Sequence, residues 1–308
     1  MFDGYTSSEL VAIFAMQGFA GLILFSVFVL MALGLAIIFG QMGVINMAHG
    51  EFMILGAYVT YLTSIVFADY APALFGIYFF IAMILAFIVS GALGLLVEWA
   101  MIRHLYRRPL DTLLATWGLS LILQQVYRSV FGAREVGVTI PDWIMGSLPL
   151  TDFIEVPING VFVMVLAISI SLAVYFMMFR SAWGKQVRAI NQNRVMASAT
   201  GINTEWTDRL TFGIGCGVAG VAGSAFTMIG STGPTAGQLY IVDTFLVVVF
   251  GGAGSLVGTI ASALSISQAQ SVMEFFLSGS MAKVLTLLTV VGILMVRPQG
   301  LFALKLRK

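Results

Sequence analysis

Charge is what this 308-residue chain has least of: the stretches 10–50, 70–97, 156–179, 210–242 and 244–273 hold no Lys, Arg, Asp or Glu. Only 9% of its residues are charged, against about a quarter in an average soluble domain. Together with 59% hydrophobic residues and a mean hydropathy of +1.00, that scarcity excludes a soluble globular protein. The one cysteine, Cys216, sits in an apolar stretch, so neither a disulfide framework nor a cysteine zinc cluster can form within the chain. The two histidines, His49 and His104, fall in different segments, which leaves no metal site, no catalytic triad and no cofactor to expect. No basic run interleaved with aromatics occupies an aqueous segment, so nucleic acid is not an expected partner. Residues 1–9 carry Asp3 and Glu9 instead of the basic stretch of a cleavable signal, and the first apolar segment is expected to be retained.

What remains is apolar helix. A hydrocarbon core about 30 Å thick is crossed by roughly 20 helical residues rising 1.5 Å each. Windows near 20–40, 51–67, 74–101, 113–132, 158–179, 209–231, 239–252, 256–272 and 282–297 satisfy or approach that length. The expected fold is an all-α polytopic membrane protein with eight or nine spans, forming one domain over 1–308. Twelve of the 15 basic residues cluster in three patches. These are Arg103, Arg107 and Arg108; Arg180, Lys185, Arg188, Arg194 and Arg209; and Arg297, Lys305, Arg307 and Lys308. The positive-inside rule places all three in the cytoplasm. Asp69, Glu135, Asp142, Asp152 and Glu155 then face the other side, and counting back from 103–108 puts residue 1 outside. Asp243, Glu98 and Glu274 read as residues at span ends.

Two places interrupt the apolar pattern with glycine. Gly34 to Tyr58 and Phe245 to Ser265 share a plan: an apolar run ending in Phe-Gly, a glycine-containing break, then a helix rich in small residues. Both are expected to enter from outside, break and return, giving two weakly related halves in parallel orientation. The glycines of the breaks are Gly43 and Gly50 in the first, Gly251, Gly252 and Gly254 in the second. Broken helices of this kind often mark a substrate path, because freed backbone groups need polar partners. Close helix packing is the other reading of the same glycines, as for Ser90 to Gly94 and Gly213 to Gly217.

The first break also carries Asn46, His49 and Glu51 within six residues. Intramembrane ionisable groups face a cavity or a partner, so these three are candidates for a pathway lining. Alternatively Asn46 caps the next helix while His49 and Glu51 stay at the cytoplasmic interface. Gln124 and Gln125 on the fourth span join the candidates, with a helix–helix hydrogen bond as the alternative.

Between the fifth and sixth spans, a cytoplasmic loop over about 180–208 has a helix-like middle. Val187, Ile190, Val195, Met196 and Ala199 are placed on one apolar side, and Gly201 is a C-terminal stop. Such a helix lies on the bilayer or inserts into a groove on a soluble partner.

The runs GVINMAHGEFMILGAY (43–58), RAINQNRVMASATGIN (188–203) and VVVFGGAGSLVGT (247–259) resemble the inner-membrane permeases of branched-chain amino acid and amide ABC importers. Within that family, LDTLLATWGLSLILQQ (110–125), the Gln192-Asn193-Arg194 run and GPTAGQLYIVDTFLVVVFGG (233–252) look most like the urea-transporter permease subunit. Branched-chain amino acid members tend to carry an acidic residue where this chain has Asn191-Gln192-Asn193. The resemblance implies a bacterial cytoplasmic-membrane importer of urea or a short amide, with branched-chain amino acids as the alternative. The implied partners are a second homologous permease, two ATPase subunits, an extracytoplasmic substrate-binding protein and the lipid bilayer. It also implies that Arg188, Ala189, Asn191, Gln192, Asn193, Arg194 and Gly201 belong to a coupling segment that docks on an ATPase. No G-x-x-x-x-G-K-[ST] sequence is present, so a nucleotide site is not expected in this chain. A passive channel is the rival class, and a membrane enzyme is disfavoured because no nucleophile, base and orienter come together.

Overall fold

The computed structural model describes residues 7–106, 108–151, 154–252, 254–297 and 300–301. Asp3, Arg107, Asp152, Ala253, Lys305, Arg307 and Lys308, used above to read charge and breaks, lie outside them. The described helices are α1 (Ser7–Met42), α2 (His49–Tyr70), α3 (Tyr78–Ala100), α4 (Pro109–Phe131), α5 (Ile158–Arg180), α6 (Ala182–Gln192), α7 (Arg194–Ala199), α8 (Thr204–Phe226), α9 (Ala236–Gly251), α10 (Leu256–Phe276) and α11 (Gly279–Val296). Among the described residues, six helical segments are long and apolar enough to cross a membrane: Glu9–Met42, His49–Tyr70, Pro72–His104, Ile158–Arg180, Thr204–Phe226 and Gly279–Val296. Helices α4, α9 and α10 add length but are shorter or more polar. The protein is therefore all-α and polytopic, with an antiparallel hairpin of β1 (Ser147–Thr151) and β2 (Ile154–Pro157) that the sequence reading did not anticipate.

Local chemistry sets the boundaries. Pro109 starts α4, where its missing N–H costs nothing, and Gly132 ends the helix at φ +88°. Side-chain oxygens of Ser181, Asn193, Asn203 and Ser255 each accept a backbone N–H in the first turn of α6, α7, α8 and α10.

Helices α1 and α8 are buried along most of their length, whereas α3, α5 and α11 bury less than a third of their apolar windows. The centre is built on backbone contact. A Cβ on Gly94 of α3 would sit 2.7 Å from the Cβ of Cys216, and one on Gly217 of α8 would sit 3.0 Å from the Phe87 carbonyl. The small residues of α3 and of α8 therefore serve one another, as the packing reading requires.

The two halves are inverted, and this corrects the parallel pairing. Gly34 of α1 meets Gly215 of α8: a Cβ on the first would lie 2.6 Å from Gly215 O, and one on the second 2.8 Å from Gly34 O. Gly50 and Gly237 face each other the same way at the starts of α2 and α9. Helix α3 packs along α8 as α10 packs along α1. The units α1–α2–α3 and α8–α9–α10 thus exchange roles about one axis. Letter similarity misled here: the partner of the 43–48 break is 227–235, not 252–255. Gly252, Gly254 and Ser255 lie between α9 and α10, with Gly251 against Gly258 and positive φ at Gly252 and Gly254. The 227–235 segment is held to the outer loop by paired Val136–Thr232 hydrogen bonds of 2.8 and 2.9 Å.

Candidate functional site

The chain leaves α1 at Met42, turns at Gly43 (φ +67°, a conformation that favours glycine) and rises through residues 44–48 before α2 begins at His49. It does not stay at the Met42 end of α1. His49 Nε2 lies 3.2 Å from the Met31 carbonyl, and Met31 is about 16 Å along α1 from Met42 at 1.5 Å per residue. A carbonyl only accepts, so Nε2 carries the proton in this contact. Glu51 is gripped by Ser120 and Gln124, at the middle of α4, at the same depth. Placement of His49 and Glu51 at the membrane interface is thus corrected: both are buried near the centre of the bundle.

The cluster assembles as follows. Ser120 Oγ and Gln124 Nε2 donate to Glu51 Oε1 at 3.0 and 2.8 Å, and Gln124 Nε2 also donates to Ser120 Oγ at 3.1 Å. Tyr127 OH donates to the Glu51 carbonyl at 2.9 Å. Thr116 Oγ1 accepts from Met47 N at 3.1 Å, fixing the rising strand against α4. Tyr58 stacks on Phe131 with ring centres 4.0 Å apart and planes 7° from parallel. Asn46 does not cap α2; its Oδ1 accepts from Ala48 N at 3.1 Å, a local turn that starts the helix one step later.

Four polar atoms of this group have no protein partner among the described residues: Asn46 Nδ2, His49 Nδ1, Glu51 Oε2 and Tyr58 OH. All four side chains are at most 2% exposed. Buried polar atoms are ordinarily satisfied, and four orphans on neighbouring residues are concentrated hydrogen-bonding capacity in an apolar bundle. Gln125 is not part of it: one residue beyond Gln124, it turns to the exposed side of α4. Ser120, Thr116, Tyr58 and Tyr127 are members that sequence reasoning missed. The spacing Thr116, Ser120, Gln124 (i, i+4, i+8) was the available signal, since it marks one polar stripe on α4.

The 180–208 loop forms two short helices instead of one. Asn193 breaks them, its Oδ1 accepting from Met196 N at 3.0 Å to start α7. The single apolar side is corrected accordingly: Val187, Ile190 and Ala197 point inward, while Val195 is 78% and Met196 62% exposed. Gly201 stops α7 as expected, at φ +90°, with Gly201 N on Ser198 O and Ile202 N on Ala197 O. Arg188 donates to the Met178 carbonyl and lies over the Phe179 ring, and Arg194 pairs with Asp208 at 2.5 Å. Ala189 is half-buried on α6, while Asn191, Gln192 and Asn193 are exposed.

This loop touches the first break. Asn191 Nδ2 reaches the Gly40 carbonyl at 3.4 Å, and Gly254 approaches the same carbonyl from the α9–α10 turn. A cavity of about 650 Å³ opens beside them, lined by Gln41, Met42 and Gly43 together with Arg103, Ile190 and Arg194. Glu98 sits in the last turn of α3, at the span end expected for it, but is buried, with Arg209 Nε at 3.1 Å and Tyr106 OH at 2.7 Å. Asp243 is likewise buried and paired, with Lys283 Nζ at 2.7 Å, while Glu274 is exposed as expected for a span end.

With this geometry, the relatives are informative. A family model described as branched-chain amino acid transport system / permease component matches residues 18–294. The chain is 29% identical over 305 residues to the high-affinity branched-chain amino acid transport system permease protein LivH of Salmonella typhimurium, covering 96% of this chain and 97% of that protein. It is 28% identical over 290 residues to the corresponding permease protein BraD of Pseudomonas aeruginosa, covering 91% and 93%. A shorter likeness, 33% over 114 residues, is to the fructose import permease protein FrcC of Rhizobium meliloti, covering 34% of this chain and 30% of that one. No solved structure matches. Such relatives and the apolar helices make this a multi-pass inner-membrane protein and a transport component. Its match from 18 to 294 shows that the chain belongs to the family of branched-chain amino acid transport system permease components.

Proposed function

We propose that this chain is the membrane-spanning permease of an ATP-driven importer that carries branched-chain amino acids into the cytoplasm, working as one domain with its coupling segment at about 180–208. The observation that carries the reading is the half-satisfied polar cluster of Asn46, His49, Glu51 and Gln124 at the bundle centre, one extended segment away from a loop built to meet a partner. In that reading the exposed Val195 and Met196 enter an ATPase subunit, which is why apolar side chains sit on an otherwise polar surface. Movement of α6 and α7 is passed by Asn191 to the last turn of α1, and Gly43 is the hinge that converts it into a shift of residues 44–49. A second permease and an extracytoplasmic binding protein complete the assembly.

Urea or a short amide is the second reading. It is supported by the likeness of 110–125 and 233–252 to urea permeases, and by the cluster's amide, hydroxyl and imidazole groups with no cation to meet a carboxylate. Uptake of labelled leucine and labelled urea, each with and without the other unlabelled, in cells lacking the chain and in cells with it restored, separates the two. ATP-dependent leucine uptake that returns with the chain supports the first reading. Return of urea uptake alone moves the assignment to the second, and uptake that survives ATP depletion unchanged would make the protein a channel.

A further inference from the structure

A separate cavity of about 420 Å³ lies between α1, α9, α10 and α11, and no part of the Glu51 cluster lines it. Lys283 stands near the start of α11, the end away from Arg297, and the positive-inside rule puts Arg297 inside, which sets the cavity in the half of α11 nearer the outer side. Its size falls in the range of small-molecule sites, roughly 300–1,000 Å³.

Its polar wall holds both signs of charge. Lys283 Nζ pairs with Asp243 Oδ2 at 2.7 Å and donates to the Leu239 carbonyl at 3.0 Å. An ammonium has three N–H donors, so these two contacts leave one to give. Gln270 Nε2 donates to Glu274 Oε1 at 2.9 Å beside them, and the Tyr240 ring lies 5.8 Å from Lys283 Nζ. Leu24, Phe28 and Leu239 make the apolar wall. A buried ion pair rarely outdoes a well-packed apolar pair in stability, and within a membrane ionisable groups mark paths and binding sites.

We propose that this cavity is a solute site for a zwitterionic α-amino acid with an aliphatic side chain. Lys283 takes the carboxylate, Asp243 and Glu274 face the ammonium, and Leu24, Phe28 and Leu239 receive the side chain. The inference rests on the importer reading and names where an amino acid is first held in the membrane part.

The test uses the complete importer with its partner subunits in proteoliposomes. Ser280 is exposed at the cavity rim and Cys216 is fully buried, so a Ser280→Cys variant offers one maleimide-reactive thiol. Leucine is expected to slow its labelling several-fold, urea to leave the rate unchanged, and Lys283→Leu to abolish the protection. Because Lys283→Leu alone strands a buried carboxylate, the double variant Asp243→Leu/Lys283→Leu serves as the folded control. It is expected to assemble and to stay deficient in leucine uptake. Uptake restored in the double variant, or leucine transport without protection of Ser280→Cys, would overturn the proposal. Protection by leucine in an importer that moves no leucine would leave the cavity assigned and defeat the importer reading instead.

Discussion

Replacing Glu51 tests whether its cluster is held by one acceptor. Oε1 receives Gln124 Nε2 at 2.8 Å and Ser120 Oγ at 3.0 Å, both donors being buried. Glu51→Ala removes that acceptor and leaves two donors to find others. A stranded buried donor costs about 1–3 kcal/mol. Ser120 can turn its hydroxyl back to the carbonyl four residues earlier, as Thr116 does to Thr112 at 2.9 Å, so its share largely cancels. Gln124 still reaches Ser120 Oγ at 3.1 Å with one of its two N–H groups. The net expectation is a loss of about 1–3 kcal/mol for Glu51→Ala and under about 1 kcal/mol for Glu51→Gln, whose carbonyl still accepts. Removing donors and acceptor together, in Glu51→Ala/Ser120→Ala/Gln124→Leu, should return most of the loss, since no polar group is then stranded. Equilibrium unfolding of the full chain in mixed micelles reads all three. Equal destabilisation by Glu51→Ala and Glu51→Gln would refute the acceptor argument, and a triple variant weaker than Glu51→Ala would show that the cluster is itself a source of stability.

Two other substitutions probe packing and docking. A Cβ on Gly56 would lie 2.5 Å from the Gly220 Cα, a backbone atom that cannot swing aside, so Gly56→Val should cost about 3 kcal/mol or more and reduce the yield of folded protein, whereas Gly118→Ala, with nothing within 4 Å, should be silent in the same unfolding assay. Met196→Asp should leave the unfolding midpoint of the permease unchanged, because the side chain is exposed, yet abolish co-purification of the ATPase subunits; retained co-purification with full ATP-driven uptake would remove α7 from the docking surface.

The membrane class, the helix order and the first break were legible because desolvation leaves no choice: backbone polar groups in hydrocarbon must pair within a helix, so apolar length reports spans directly. Gly201 was legible for a similarly local reason, since a helix end at positive φ favours glycine. What failed were statements about partners across the bundle. Gln124 and Gln125 look alike in sequence, and only the rotation of α4 sends one to Glu51 and the other outward. The buried Asp243–Lys283 pair was hidden for the same reason, being 40 residues apart on helices whose relative placement no period encodes. The 180–208 loop was misread because helical periodicity was carried through Asn193, whose capping bond resets the register and turns Val195 and Met196 outward.

The inverted arrangement gives a reason for the position of Glu51. Helices α2 and α9 begin at the same point, Gly50 against Gly237, so two positive dipole ends converge in the apolar interior. Alone, that convergence is unfavourable, because each end raises the potential at the other. A polar side-chain oxygen in the first turn of either helix offsets it, and each half supplies one, Glu51 on α2 and Gln238 at the corresponding turn of α9. The shared shape of the halves is set by glycine contact. The start of α2 is held from α4, by Met47 N on Thr116 Oγ1 and by Ser120 and Gln124 on Glu51, because its own N-cap, Ala48, has no side chain that could cap it.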